Sequence, residues 1–454
     1  MSEHYHFIGI GGIGMSGLAR LLLHKKKCVS GSDIAFNYTI EGLAKAGAII
    51  HKGQAAENIS AKMTVVYSSD IKPDNPEYQT AIQLQCALLH RSDLLVSLIG
   101  QYRSLAVAGT HGKTTTSSLL ATVLVEAGLD PSFAVGGMLP EFQSNSRFGE
   151  GDLFAFEADE SDRTFLKYHP FGAIVTNIDN DHLNNYEGSE SLLIESFNTF
   201  MSQVASPDHL IWCGDDLHLR RLNRPGQRYG FSPDCEWVIS NVRQDGFQVV
   251  FDLKGKEKKY SDIVLNLIGT HNALNAAAVF ALSITLGIPE GAIRQTFKSF
   301  KGVLRRCEKK GEINNILFVD DYAHHPTEIS ATLKGLRLAV PNKRLIAVFQ
   351  PHRYSRTKDC LGQYGNIFDA ADELIVTDIY GAGETPIAGL SHELIIQEIQ
   401  QSSPLSCQYV SRPALSHKLS EMIRPDDVII TLGAGDVTKV AGETLALLSR
   451  LPGY

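Results

Sequence analysis

The sequence of 454 residues predicts an α/β fold in three domains. Three observations lead there. Short apolar runs alternate with amphipathic stretches along the whole chain. Two glycine-rich loops each join such a run to a helical pattern. The length suits three domains at roughly 150 residues each, enough for each to bury its own core.

The elements follow in order. HFIGI (6–10), TVVYSS (64–69), SLAVAGT (104–110), LFAFEAD (153–159), GAIVTNI (172–178) and HLIWCGD (209–215) read as buried strands. RLIAVFQP (344–351), ELIVTDIY (373–380) and DVIITLGAG (427–435) repeat the pattern nearer the C-terminus. Strands that run straight into helical periodicity are βα units around mostly parallel sheets. The stretch 236–267 (EWVIS, FQVVF, IVLNL) instead reads as a small antiparallel section. A new strand and loop begin near Gln101, and a polar, Gly-containing stretch at Lys301 to Arg306 precedes another strand set. The expected domains are therefore 1–100, Rossmann-like, 101–303, of the P-loop ATPase type, and 304–454, again Rossmann-like.

Composition narrows the class. The chain is 43% hydrophobic and 20% charged, as a soluble globular protein is. Its net charge is −8, from 42 basic and 50 acidic residues, and its densest basic cluster, Lys25 to Lys27, reads as a solvated helix end. No nucleic-acid partner is expected, and phosphates must be met by local donors. The seven cysteines are widely spaced, with no C-x-x-C, which speaks against a disulfide framework or a zinc site. The chain starts directly in a strand-like run, and no segment has the apolar length of a membrane helix. The expectation is a reduced, cytoplasmic protein without membrane insertion.

The first glycine loop, Gly9-Ile10-Gly11-Gly12-Ile13-Gly14, fits G-x-G-x-x-G, follows a strand and opens a helix. Glycines let backbone N–H groups approach a diphosphate, and the helix N-terminus favours its charge. Asp33 lies where such folds place a ribose-binding carboxylate. The loop predicts a diphosphate-containing ligand, and NAD and a UDP-sugar satisfy it equally. The second loop, Gly109-Thr110-His111-Gly112-Lys113-Thr114-Thr115, carries the G-K-T core of a P-loop. Its amides cradle phosphates, Lys113 reaches the β/γ oxygens and the Thr114 hydroxyl faces Mg²⁺. A strict Walker A would have glycine at 107, where this chain has Val107. A dehydrogenase needs only the first loop; two nucleotides, or a nucleotide and a nucleotide-sugar, account for both.

With these loops in place the chain resembles the Mur ligases, which build the peptide stem of peptidoglycan. The resemblance runs through an ordered set of motifs: GIGGIGMSG (9–17), SSDIKPDNPE (68–77), AGTHGKTTT (108–116), EADESD (157–162), TNIDNDHLNNY (176–186), GTHNALNA (269–276), DDYAHHPTE (320–328), QPHRYSRT (350–357) and GAGD (433–436). Each alone is weak, since EADESD reads as an acidic strand end and HHP as surface histidines. Their joint order carries the assignment. The resemblance points to the alanine-adding branch, with UDP-N-acetylmuramate, L-alanine and ATP as substrates and two Mg²⁺ ions. Many relatives carry a carbamylated lysine after the histidine motif. The matching stretch 188–203 has no lysine, as is common in the alanine-adding branch.

Residue by residue, the resemblance implies that Gly11, Gly12, Ile13, Gly14, Asp33 and Ser69 bind the UDP-sugar. Gly109 to Thr115 hold the ATP phosphates. Thr114 and Glu157 bind Mg²⁺, and His182 holds a second metal or acts on the substrate side. Asn272 and Asn275 meet the adenine end, and Arg306, Asp321 and His324 come near the nucleotide. Lys113, Glu157, His182 and Arg306 form the catalytic set. Arg353 and Arg356 follow the strand 344–351 at its C-terminal end, where α/β sheets bind ligands. Two arginines there can fork onto a carboxylate or pair with local acids near Lys358 and Asp359. The resemblance assigns them to the incoming amino acid, with Tyr322 and His352. The implied chemistry is acyl-phosphate formation followed by attack of an amine whose base the sequence does not identify, with domain closure pivoting near Gly302 to Arg306. A monomer–dimer equilibrium is compatible with the sequence. A tripeptide-adding relative would carry GICGT in place of GIGGIG. An inert scaffold would have no use for Lys113, Glu157 and His182 together.

Overall fold

The computed structural model describes residues 3–35, 38–181 and 183–450. It divides into two compact units, Met1–Ser240 with Asp252–Ile263 and Leu274–Lys301, and Asn241–Phe251 with Val264–Ala273 and Gly302–Tyr454.

The first unit begins with five parallel strands, β1 (His4–Ile8), β2 (Cys28–Asp33), β3 (Ile49–Lys52), β4 (Thr64–Tyr67) and β5 (Ala87–His90), in the order β3-β2-β1-β4-β5. Helices α1 (Ile13–His24), α2 (Tyr38–Lys45), α3 (Pro76–Gln83) and α4 (Arg91–Ile99) accompany them. Strand order reverses between β1 and β4, so the loops leaving those two strands flank the crevice in which such sheets bind ligands. The glycine loop leaves β1 and Ser69 follows β4.

The second sheet of this unit contains β6 (Arg103–Ala108), β7 (Ser132–Leu139), β8 (Ser144–Arg147), β9 (Leu153–Glu157), β10 (Gly172–Val175), β11 (Leu210–Cys213) and β12 (Gln227–Gly230), ordered β12-β11-β10-β6-β9-β7-β8. The β7–β8 pair is antiparallel, while β9, β6, β10, β11 and β12 pair in parallel. All four residues of β10 are buried, the signature of a strand covered on both faces. β12 pairs in parallel with the start of β13 (Trp237–Asp245), and β14 (Gln248–Lys254) and β15 (Lys259–Leu265) follow in the 236–267 stretch, where strands were expected. Its helices are α5 (Lys113–Glu126), α6 (Glu190–Ser202), α7 (Leu217–Leu222), α8 (Thr270–Thr285) and α9 (Glu290–Ser299). β6 lies between β9 and β10, so the three segments leaving those strands at their C-terminal ends emerge side by side.

The second unit holds a sheet of β16 (Glu308–Ile313), β17 (Ile316–Asp321), β18 (Leu345–Phe349), β19 (Glu373–Val376), β20 (Ser406–Tyr409) and β21 (Val428–Leu432), ordered β16-β17-β21-β18-β19-β20. Only the β16–β17 hairpin is antiparallel. Helices α10 (Pro326–Ala339), α11 (Tyr354–Asp359), α12 (His392–Ser402), α13 (Leu415–Met422) and α14 (Val440–Leu448) complete it. β18 and β21 are buried along their whole length, with core residues packed on both sheet faces. Three sheets, mostly parallel and each fed by βα units, are the architecture expected from the alternating runs. No helix among the described residues is long and apolar enough to cross a membrane.

Candidate active site

In the first unit the loop between β6 and α5 turns on glycines with positive φ, Gly109 at 135° and Gly112 at 82°. A side chain on Gly109 would run into Thr176 Oγ1, and one on Gly112 would sit 2.8 Å from Asn275 Oδ1. Both glycines are thus needed for conformation and for close approach. The segment leaving β10 grips the loop. Thr176 Oγ1 donates to His111 O (2.7 Å), His111 N donates to Asn177 Oδ1 (2.8 Å), and the His111 ring meets Asp179 Oδ2 at 2.8 Å. Asp179 N donates to Thr110 Oγ1 (2.9 Å).

Lys113 opens α5 and is largely buried. Its Nζ donates to Gly109 O (2.6 Å), Thr110 O (3.0 Å) and Glu160 Oε1 (3.0 Å), and Glu160 Oε2 lies at 2.7 Å. Burial works against its charge, but Glu160, Asp159 and Glu157 outweigh that and hold its pKa at about 12. Burial pushes the Glu160 carboxyl up to about 7 despite Lys113. The lysine is thus a fixed cation at the point where a P-loop receives β/γ-phosphates.

Glu157 ends β9. Its Oε2 accepts from Gly136 N (3.0 Å). A side chain on Gly136 would collide with that carboxylate and come 2.8 Å from Thr114 Oγ1. Glycine at 136 therefore keeps open a small space faced by a carboxylate and a hydroxyl oxygen. Those are hard oxygen donors of the kind Mg²⁺ takes, with waters and phosphate filling its other positions. The donor set fits the cation that the P-loop implies. His182 lies outside the described residues, and Thr115 is the third, partly exposed residue of α5.

The same segment, 157–162, reaches the first glycine loop. Arg91, heading α4, donates to Asp159 (3.0 Å) and Asp162 (3.3 Å). Its Nη1 lies 3.4 Å from where a side chain on Gly14 would begin. Ser69 Oγ donates to Asp162 Oδ2 (2.6 Å) and meets His90 Nε2 at 3.1 Å. Asn145 Nδ2 donates to Ile13 O (2.6 Å). Asp33 Oδ2 accepts from Gly11 N (2.9 Å) and Oδ1 from Ala35 N (3.0 Å), so the carboxylate shapes the glycine loop from the end of β2. Gly12 caps α1, Ile13 is its first residue and Gly14 its second.

Arg91 carries a prediction. Burial raises the Asp159 pKa, but Lys113 and Arg91 more than reverse this and hold it at about 2. A pKa lowered on folding contributes stability above the unfolded value of 3.8, and that contribution is lost as pH falls toward 2. Arg91→Ala leaves two carboxylates without their charged donor. It is expected to destabilise the protein by about 2 kcal/mol, read as a lower urea midpoint at pH 7, with the gap from the parent closing in acid.

In the second unit the segments leaving β17, β18, β19 and β21 come together. Tyr322, His324, His352 and Tyr380 form a run of rings, with centroids 5.3 Å apart for Tyr322–His324, 5.9 Å for His324–His352 and 5.7 Å for the stacked His352–Tyr380 pair. Arg356 Nη1 lies 3.5 Å from His352 Nδ1. Burial, then His324, Arg356, Arg353 and Arg305, push His352 down to about 3, so it stays neutral among cations. Arginines gathered around a neutral imidazole make an electropositive cluster, and guanidinium groups are the donors that can fork onto a carboxylate. Arg305 and Arg306 both lie over the Tyr322 ring, at 4.9 and 5.2 Å. Arg305 also donates to Gly433 O (2.7 Å), Ala434 O (3.3 Å) and Gly435 O (3.2 Å), fixing the G-A-G-D turn. Asp321 Oδ2 accepts from Cys307 N (2.7 Å) and Oδ1 from Ala323 N (2.7 Å). Burial raises its pKa to about 6 against the pull of Arg306. Asn272 Nδ2 donates to Ile268 O (2.8 Å).

The first unit thus gathers both glycine loops, Ser69, Thr114, Glu157 and Asn275. The second gathers Arg306, Asp321, Tyr322, His324, His352, Arg353 and Arg356. Sequence reasoning missed Glu160, Asp179, Arg91 and Arg305. Glu160 and Arg305 were within reach, because Glu160 lies inside the EADESD motif and Arg305 adjoins Arg306. Asp179 and Arg91 matter through contacts distant in sequence, to His111 and to Asp159 and Asp162.

The family model described as "Mur ligase family, catalytic domain" matches residues 4–103, "Mur ligase middle domain" 107–283 and "Mur ligase, glutamate ligase domain" 305–435. The UDP-N-acetylmuramate–L-alanine ligase of Protochlamydia amoebophila is 67% identical over 450 residues, covering 99% of both chains. The bifunctional enzyme MurC/Ddl of Chlamydia caviae is 45% identical over 96% of this chain, which spans 54% of that longer protein. Among solved structures, the UDP-N-acetylmuramate–alanine ligase MurC of Thermotoga maritima superposes with a TM-score of 0.85 at 26% identity, covering 98% of this chain and 99% of that one.

Proposed function

The chain belongs to the Mur ligase family, and on that premise we propose that it joins L-alanine to the lactyl carboxylate of UDP-N-acetylmuramate with consumption of ATP. The products are UDP-N-acetylmuramoyl-L-alanine, ADP and phosphate, a step of peptidoglycan precursor synthesis. One arrangement supports the reading most directly. Segment 157–162 offers Glu157 and Glu160 to the P-loop on one side, and Asp159 and Asp162 to Arg91 and Ser69 beside the first glycine loop on the other. A nucleoside triphosphate and a nucleotide-sugar are thereby brought to one strand end.

The roles follow from the chemistry of the groups. The amides of Gly11 to Gly14 receive the sugar-nucleotide diphosphate, with Asp33 shaping the loop and Ser69 completing the crevice. The loop 109–115 receives the ATP phosphates, Asn275 braces it, and Lys113 exchanges the carbonyls of Gly109 and Thr110 for phosphate oxygens. Mg²⁺ held by Thr114 and Glu157 offsets charge on the transferring group when bound. The γ-phosphoryl group passes to a lactyl carboxylate oxygen, giving an acyl phosphate and ADP. The alanine amine then attacks the acyl carbon, phosphate leaves with its bridging oxygen, and the amine gives up a proton. Arg353 and Arg356 hold the alanine carboxylate, with His352 and Tyr322 beside it. Arg306, Asp321, His324 and Asn272 serve the nucleotide, and His182 would hold a second Mg²⁺ or act on the substrate side. The proposal assigns 1–100 to the sugar nucleotide, 101–303 to ATP and 304–454 to the amino acid. It places the protein in the cytoplasm, in a monomer–dimer equilibrium.

The test is phosphate release from ATP with Mg²⁺, UDP-N-acetylmuramate and, in turn, L-alanine, L-serine and glycine. Release is expected only when sugar nucleotide and amino acid are both present, fastest with L-alanine. Because one methyl group discriminates by about 1–3 kcal/mol, glycine should be roughly 10- to 200-fold poorer in kcat/KM. No release with any of the three would overturn the reading.

A further inference from the structure

The strand β19 is followed by a long loop, residues 377–391, without regular structure and with positive φ at Ala382, Gly383 and Gly389. Irregular loops of this length in a compact domain are commonly functional. This one is stitched to the segment bearing the two arginines. Tyr380 N donates to Pro351 O (2.8 Å), Arg353 N donates to Tyr380 O (2.8 Å), and His352 pairs with Tyr380 as a parallel bridge. Gly381 packs so closely that a side chain on it would begin 3.0 Å from the Tyr354 ring. The root of the loop is fixed by Asp378, which accepts from Tyr409 Oη (2.7 Å) and Arg412 N (2.8 Å). Farther along, both oxygens of Glu384 are engaged by one residue of α11: Oε2 accepts from Ser355 N (2.9 Å) and Oε1 from Ser355 Oγ (2.7 Å).

Arg353 needs this support. Its φ of 66° is one that residues other than glycine rarely adopt. Such a conformation is strained and persists only where the surroundings over-determine it. Here the surroundings are the Tyr380 carbonyl on one side and Thr357, whose N and Oγ1 donate to Arg353 O at 3.0 and 2.8 Å, on the other. Glu384 holds the loop that supplies the Tyr380 carbonyl and the Tyr380 ring.

We propose that Glu384 is a positioning residue for the amino-acid site: its two hydrogen bonds with Ser355 strap the 377–391 loop across the start of α11, pinning Tyr380 on His352 and Arg353 so that the two arginines stay where the proposed carboxylate clamp needs them. The inference rests on the reading of Arg353 and Arg356 as the carboxylate clamp. Glu384 touches no substrate; it acts through Tyr380 and Arg353.

Steady-state kinetics on the full chain test it, varying L-alanine, ATP and UDP-N-acetylmuramate separately. Glu384→Ala is expected to raise KM for L-alanine about tenfold or more while the other two KM values move less than about twofold. Glu384→Gln, which keeps an acceptor for Ser355, should recover most of the loss. An unchanged alanine KM in Glu384→Ala, or an equal rise in all three, would overturn the proposal. Arg353→Ala separates the two ideas. If it raises the alanine KM and Glu384→Ala does not, the strap fails alone; if neither variant raises it, the carboxylate clamp fails with it. Thermal unfolding of each variant checks that a lost effect is not lost protein.

Discussion

Lys113→Ala is expected to lower kcat/KM for ATP about a thousandfold, the scale seen when one preorganised charge facing a developing anion is removed. The buried ammonium faces the Gly109 and Thr110 carbonyls and Glu160 at once. Deleting it removes the group proposed to meet the phosphates and leaves Glu160 buried without its Lys113 partner. Burial already lifts that carboxyl to about 7, so it would take up a proton before it stayed charged. The fold should survive, and the sugar-nucleotide loop, held by Asp33 and Asn145, should keep its affinity. Phosphate release measured beside UDP-N-acetylmuramate binding by calorimetry separates the two effects. Activity within tenfold of the parent would remove Lys113 from the catalytic set.

The second large effect concerns the cation. Gly136→Ala adds one methyl group into the gap between Glu157 and Thr114, and Glu157→Ala removes the carboxylate altogether. Both are expected to cut activity about a hundredfold or more at 1 mM Mg²⁺, since Mg²⁺ tolerates little departure from octahedral oxygen geometry. They should differ on titration. Glu157→Ala should need far more Mg²⁺ and recover partly. Gly136→Ala should recover little, because its methyl group obstructs the space itself. A Gly136→Ala enzyme with the parent's Mg²⁺ dependence would sink the assignment of this gap to the metal.

The sequence and the structure divide the credit unevenly. Both glycine loops were legible because backbone approach to phosphate demands glycine at set spacings, a local requirement that any reader of the chain can see. Glu157 was legible through a motif, but its partner Gly136 was not. That glycine lies in an ordinary-looking strand run and matters only because β7 pairs with β9 and sets its backbone against the carboxylate. Asp33 was selected by its spacing after the glycine loop, and the structure puts it at the end of β2 with its carboxylate accepting from the Gly11 amide. Arg306 was selected from the pair at 305 and 306, while Arg305 holds the G-A-G-D turn.

By itself, then, the sequence determined the fold class, the strand–loop–helix units and the phosphate chemistry, because these depend on residue types a few positions apart. Only the tertiary structure decided which acid faces which cation. Glu160 rather than its neighbours meets Lys113, Asp179 meets His111, and Asp159 and Asp162 share Arg91. Each of these contacts joins segments leaving different strands. Parallel sheet order sets which strand ends stand side by side, and that order is a property of packing, which no local pattern of residues records.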